Sequence, residues 1–303
     1  MALADYPALK SITKYYQAHP KEVNAHSKKV TPDLSSLRYL IVDTNTVRPE
    51  LNQDIADKLL RPLGNTDNPL EVVCPVLSLP EHGGKILSMR DNLGPAYTEE
   101  FVETEEIMTE DGRQISRPAI KTQSVLAPGS SRDVFACLFD AQALKLNKVM
   151  VVAAGAAAQK EKLANEADKV CVESFGFCMP KASVAIVDPD TATFCPADTV
   201  GEIWVNSPTI DGGFWALPKH TESIFHARPL IVPSESSYPE VYGESFLRTG
   251  LCGTIIGGRL FVLGSYEERI RQQRLGADFG LEDIYYSSEL LNTVTKRARI
   301  EQW

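Results

Sequence analysis

Apolar positions in the first half of the chain fall into short runs that alternate between helix-like and strand-like spacing. Residues 5–18 set Leu9, Ile12, Tyr15 and Tyr16 on one helical face, and His19-Pro20 ends the run because a residue before proline avoids the α region. Residues 37–42 (LRYLIV) predict a buried strand. Pro49 then opens a helix whose inner face carries Leu51, Ile55, Leu59 and Leu60. Residues 71–77 and 85–89 predict two further strands, and this strand–helix–strand rhythm predicts an α/β layer. The acidic run at 98–111 (TEEFVETEEIMTED) is expected to be a solvated face or loop. Residues 133–139 and 149–153 predict strands, and the Ala/Lys/Glu-rich residues 156–168 a helix.

The texture changes near residue 170. Short strands at 183–187, 202–205, 253–256 and 259–263 alternate with turns at Asp188-Pro189-Asp190, Gly212-Gly213 and Gly257-Gly258. That pattern predicts a small antiparallel sheet or distorted β-barrel, with a soft boundary near 170. Gly257-Gly258 suits a two-residue hairpin turn, where positive φ is required.

The chain has 303 residues, 43% hydrophobic and 23% charged, which is ordinary for a globular protein with real cores. Its net charge of −9 argues against a nucleic-acid partner, which would need a concentrated basic face. The longest apolar run, residues 149–158, falls well short of the roughly 20 residues of a membrane span. MALADYPALK lacks the pattern of a signal peptide. The six cysteines are scattered with no C-x-x-C, which predicts reduced structural thiols and a cytoplasmic location.

Two blocks carry the chemistry. GEIWVNSPTIDGGFW spans 201–215, and FLRTGLCGTIIGGRLFVLGSYEERI spans 246–270. Upstream stand LSSLRYLIVDTNTVRPE at 34–50, LSLPEHGG at 77–84, and SFGFCMP followed by VAIVDPDTATFCPADTVGEIWV at 174–205. In this order the blocks resemble the acyl-adenylate-forming superfamily, most closely its fatty acyl-AMP ligase branch. The tracts at 5–62 and 77–91, with the C-terminal run from 264, look like the ligase-like domains of fungal relatives of disco-interacting protein 2. The resemblance is weak only between about 95 and 165.

The resemblance implies the later half of a ligase core: an α/β part at 1–170, a barrel-like subdomain at 171–270, and a hinge with the start of a C-terminal subdomain at 271–303. It also implies that the phosphate loop lies upstream and the catalytic Lys downstream, in the rest of a longer parent protein. GAAAQKEK at 155–162 lacks the Gly-Lys-Ser/Thr ending of such a loop. A fragment of this kind is expected not to complete an adenylation cycle by itself.

By the same resemblance the ligands are ATP or AMP, Mg²⁺ and a small acyl substrate. Glu81 matches the Glu that supports Mg²⁺, and a carboxylate is a sound hard ligand for that ion; a plain surface Glu fits the residues equally. Leu77 stands where a Tyr stacks on adenine, and Ser78 replaces a Gly. Asp43, Thr44, Asn45 and Thr46 replace the turn that grips adenine, or form an ordinary Asx turn after a strand. Arg248, Thr249 and Gly250 keep the family's turn, but Leu251 replaces the Asp that binds the ribose hydroxyls. Losing a charged hydrogen bond costs about 1.5–3 kcal/mol. Ser265 stands where an Arg helps hold ribose or phosphate. Glu267 matches the hinge residue, or belongs with Glu268, Arg269 and Arg271 to a solvated charge cluster.

Two functions follow. The first is acyl activation with ATP; the second is a degenerate ligase fold that binds a lipid or a protein partner. Restoring a carboxylate at position 251 is expected, from sequence, to raise nucleotide affinity.

Overall fold

The computed structural model describes residues 1–25, 32–83, 86–89, 97–108, 114–125, 135–155, 157–158, 168–232, 238–273, 282–286 and 290. It begins with strand β1 (Ala2–Asp5), helix α1 (Tyr6–Ala18) and a short helix α2 (Pro20–Ala25). The Asp5 carboxylate caps α1 by accepting the Ala8 N–H at 2.8 Å, and Pro7 sits in the first turn where no N–H is missed. The buried face is Tyr6, Leu9, Thr13 and Tyr16. Ile12 and Tyr15, expected inside, are 53% and 55% exposed. At about 100° per residue those two positions fall to the side of the Tyr6–Leu9–Thr13–Tyr16 stripe. Tyr15 instead stacks on His19 with ring centroids 4.7 Å apart.

Strand β2 (Leu40–Asp43) follows, then helix α3 (Pro49–Ile55). A wider π turn at Ala56–Leu60 continues that helix, closed by the Arg61 N–H to the Ala56 carbonyl at 2.9 Å. Helix α4 (Pro69–Val72) leads into β3 (Val73–Ser78), and β4 (Ile86–Met89) returns antiparallel. β1, β2 and β3 run parallel. Tyr6, Leu9 and Tyr16 of α1 pack with Ile55, Leu59, Leu60 and Val72 over Leu40 and Val42, so helices cover this face of the sheet. The expected α/β layer is present.

The acidic stretch is a strand, β5 (Tyr97–Met108), and not a loop. It pairs along its length with β6 (Gln114–Val125). Phe101 and Val102 are buried on opposite faces, while Glu100 and Glu106 stay exposed, so part of the expected solvated charge is found on a strand. Lys121 of β6 pairs with Glu105. A three-stranded sheet follows in the order β8–β7–β9, from β7 (Ala136–Asp140), β8 (Val151–Ala154) and β9 (Lys169–Glu173). Helix α5 (Ala141–Lys145) is capped by the Asp140 carboxylate. The expected helix at 156–168 lies almost wholly outside the described residues.

β10 (Phe177–Cys178) closes the first sheet against β4. β11 (Ser183–Val187), β12 (Gly201–Asn206), β13 (Leu230–Ile231), β14 (Glu240–Val241), β15 (Leu247–Ile256) and β16 (Arg259–Ser265) complete the strands up to the hinge sequence. The second sheet runs β16–β15–β12–β11–β5–β6, with β5 parallel to β11. Among the described residues it stays open and closes into no barrel. Strands on both sides of residue 170 pair in the first and second sheets. The β15–β16 hairpin turns at Gly257 and Gly258, at φ 56° and 71°, the positive values a two-residue turn demands.

One apolar cluster joins the first two sheets. It takes Leu77 and Leu87 from the first, with Val47 and Leu79 from the segments after β2 and β3, and Phe101, Ile203, Leu251 and Val262 from the second.

None of the six cysteines forms a disulfide, and five are buried. Burial pushes the Cys195 and Cys252 thiols up to about 12. Iodoacetamide at pH 8 is therefore expected to modify these two about 10³-fold more slowly than an unfolded thiol, read by peptide mass spectrometry with and without urea. Rapid labelling in the native protein would contradict the packing. Because the folded values are raised, their contribution to stability is complete below the unfolded thiol value of about 8.5. It is lost as pH rises toward 12.

Candidate functional site

The ends of β2 and β3 lie side by side because these strands are parallel and in register, with Asp43 opposite Val76. This brings together most of the first group of expected site residues. The Ser78 hydroxyl donates to Asp43 Oδ1 at 2.6 Å. The Thr44 N–H donates to the Val76 carbonyl at 3.2 Å, and Thr44 Oγ1 donates to the Thr46 carbonyl at 3.0 Å. The Thr46 N–H returns to Thr44 Oγ1 at 3.3 Å. The turn at 43–46 thus satisfies its own polar groups. Glu81 sits on a 3₁₀ turn, Pro80–His82, just past β3, half-buried. Its main-chain carbonyl accepts the Asp211 N–H at 3.0 Å. Next to it, buried His82 meets Thr209 Oγ1 through Nε2 at 2.9 Å. These two contacts tie the β3 turn to the loop after β12.

The second group lies on the β12–β15–β16 part of the second sheet. Arg248 makes a two-pronged ion pair with Glu202: Nη2 to Oε2 at 2.7 Å and Nε to Oε2 at 3.1 Å. Glu202 is only 2% exposed, and its Oε1 also accepts the Gly250 N–H at 3.2 Å. The Arg248 guanidinium lies 5.2 Å from the Trp204 ring centroid. Thr249 Oγ1 donates to the Ile203 carbonyl at 2.7 Å and accepts the Leu251 N–H at 3.2 Å. Gly250 has φ 69°, a value glycine adopts without strain. The Arg-Thr-Gly turn is therefore fully engaged in holding two strands together.

Leu251 and Ser265 are direct cross-strand partners on β15 and β16. The two departures from the ligase pattern thus face the same spot. Ser265 Oγ accepts the Glu267 N–H at 3.3 Å. Glu267 is exposed, at the start of the hinge sequence. Beyond it, Tyr266 donates its hydroxyl to Asp190 at 2.8 Å and Arg271 reaches the same carboxylate at 2.9 Å. Those two partners hold the Asp190 carboxyl below the usual range. β17 (Ile270–Gln273) pairs with β18 (Glu282–Tyr285) past this point.

The position of each side chain decides what the site can hold. Leu77 is 0% exposed and Leu251 is 5% exposed, and both belong to the cluster that joins the sheets. Neither presents a face to a base or a ribose, and leucine offers no acceptor for a ribose hydroxyl. Leu77 and Leu251 therefore do not supply the stacking face and the ribose acceptor expected from the resemblance. Glu81 remains a sterically available carboxylate. Among the described residues no group of three or more His, Cys, Asp or Glu is placed to hold a metal ion. Mg²⁺ needs only one or two carboxylates when phosphates complete its shell.

Sequence reasoning missed Glu202 as the partner of Arg248. The signal was present: a lone acid between Gly201 and Ile203 in an otherwise apolar strand demands a cation. It also missed a cleft of about 520 Å³ beside Asp43 and Thr44, whose wall carries Lys10, Lys14 and Arg48.

This sheet arrangement is shared with known proteins. The chain aligns with the adenylation domain of a keto acid-selecting NRPS module at TM-score 0.57 and 15% identity, covering 95% of this chain and 39% of that one. It aligns with the fatty acid AMP ligase from Legionella pneumophila at TM-score 0.52 and 21% identity, covering 86% and 36%. The chain has, in part, the adenylate-forming ligase fold.

No protein-family model matches it. An uncharacterised protein of Schizosaccharomyces pombe is 39% identical over 299 residues, 97% of this chain and 18% of the relative. The Homeostatic regulator of DAG of Saccharomyces cerevisiae is 26% identical over 295 residues, 90% of this chain and 16% of the relative. The 4-hydroxyphenylalkanoate adenylyltransferase of Mycobacterium tuberculosis is 39% identical over 127 residues, 42% of this chain and 19% of the relative. The chain thus spans less than a fifth of the length of each of these relatives.

Proposed function

We propose that this chain is part of a ligase-like domain whose hold on nucleotide has been exchanged for apolar packing, and that it serves as a lipid- or protein-binding regulatory module. The observation that carries this reading is the burial of Leu77 and Leu251 in one cluster between the sheets. Leucines buried in a packed core leave no stacking face and no ribose acceptor. The name of the Saccharomyces cerevisiae relative, a homeostatic regulator, supports a regulatory role.

The second reading is activation of a fatty or other carboxylic acid with ATP and Mg²⁺. It is favoured by Glu81, which stands half-buried beside the Asp43–Ser78 pair. The adenylyltransferase name of the Mycobacterium tuberculosis relative also favours it.

Calorimetry of the purified protein with ATP/Mg²⁺ and with a non-hydrolysable acyl-AMP mimic separates the two. The regulatory reading expects no binding heat that depends on Glu81 at about 1 mM of either ligand. Binding tighter than about 50 μM that disappears in Glu81→Ala would overturn it.

A further inference from the structure

The cleft beside the 43–46 turn lies at the carboxyl ends of β1 and β2, the edge of an open parallel sheet where ligands are generally received. Its volume, about 520 Å³, is that of a small-molecule site. Its wall is unusual for a chain with a net charge of −9. Lys10 and Lys14 stand one turn apart on the same side of α1, and Arg48 faces them from the loop before α3. Asp43 is the one carboxylate in that wall, and it accepts a hydrogen bond from Ser78.

We propose that this cleft binds a phosphate group carried by a phosphomonoester or diphosphate ligand. Three cations from two elements line one cavity, and Lys10 and Lys14 stand at i and i+4 on α1, where like charges repel. The Lys10 ammonium is held below its ordinary value by burial first, and then by Lys14 and Arg48. An anion between them relieves that repulsion. Arg48 brings a planar fork suited to phosphate oxygens, and the lysines act as point charges.

The back of the cleft is fixed in advance. Tyr6 donates its hydroxyl to Asn52 Oδ1 at 2.8 Å and accepts the Arg48 N–H at 3.2 Å, which sets the Arg48 backbone against α1. Three cations in the wall suit a phosphate-bearing head better than an uncharged one.

This inference does not rest on the loss of nucleotide grip, because the cations lie outside the Leu77–Leu251 cluster. The test titrates the purified protein with inorganic pyrophosphate by calorimetry. In parallel it co-sediments the protein with phosphatidylcholine vesicles made with or without phosphatidic acid. The wild type is expected to bind at least one phosphate probe, pyrophosphate with Kd on the order of 100 μM. Lys10→Glu and Arg48→Glu each weaken that binding about tenfold or more, whereas Lys10→Arg and the distant Lys219→Glu leave it within about threefold.

All three wall cations are at least partly exposed, so these substitutions leave the core intact, and an unchanged melting temperature checks it. Vesicle binding that requires phosphatidic acid and falls in Arg48→Glu identifies a lipid headgroup as the source of the phosphate. Pyrophosphate binding alone identifies a soluble ligand. No binding of either probe at about 5 mM, or binding unaffected by both charge reversals, overturns the proposal. ATP binding lost in Glu81→Ala but kept in Lys10→Glu overturns the regulatory reading and not this one.

Discussion

Leu251→Asp is expected to lower the stability of the folded protein by about 4 kcal/mol at pH 7 and to confer no nucleotide binding. Position 251 is 5% exposed and packs in the cluster with Leu77 and Ile203. A carboxylate there is desolvated with no cation aimed at it, since the nearby Arg248 is already clamped on Glu202. Burial raises the folded pKa of the new Asp by roughly 3 units or more, and each unit corresponds to about 1.4 kcal/mol. The sign follows from linkage. With the folded value raised, the loss is smallest below the unfolded value of about 3.9 and grows as pH climbs from there toward neutrality.

Urea unfolding at pH 4 and pH 7 measures both limits. Leu251→Asn, which carries no charge, should show a much flatter pH dependence. If instead Leu251→Asp is within about 1 kcal/mol of wild type and gains ATP affinity, then position 251 faces an open ribose pocket and the sequence-based expectation was sound.

Much of this fold was legible because its signals are local. A run of Leu40, Ile41 and Val42 before a turn can only be a buried strand, and Pro49 marks the next helix wherever the chain goes. Gly257-Gly258 between two apolar runs specifies a hairpin by backbone sterics alone.

What stayed hidden depends on partners distant in sequence. The Glu-rich strand β5 looks like a loop until β6 and β11 are beside it and Phe101 has a core to enter. Ile12 and Tyr15 look inward until the neighbouring helices define which face is covered. For the site, motif matching located Asp43, Ser78 and Glu81 on adjacent strand ends, but could not say which way Leu77 and Leu251 point. They stand 174 positions apart and meet only in the packed cluster. The three cations of the cleft escaped for a similar reason: one helix supplies two and a separate loop the third.

Arg248→Ala is expected to cost about 3 kcal/mol, and this would change the meaning of the Arg-Thr-Gly turn. Glu202 is almost wholly buried, and its carboxylate is held by the Arg248 guanidinium and the Gly250 N–H. Removing the Arg leaves a charge in the core with one hydrogen-bond donor, which is the expensive way to break a buried pair. The cation also lies against the Trp204 ring, so Lys at this position should restore only part of the loss, lacking both the fork and the planar stacking.

The double variant Arg248→Met with Glu202→Leu removes both charges, and should recover most of the stability that Arg248→Ala forfeits. Thermal and urea unfolding of wild type, Arg248→Met, Glu202→Leu and the double variant form the cycle. If Arg248 were instead poised for a ligand, Arg248→Ala would leave stability nearly untouched and lower affinity alone. The geometry argues against that. Both prongs of the guanidinium are committed to Glu202, and the turn that once suggested a nucleotide contact is the clasp between β12 and β15.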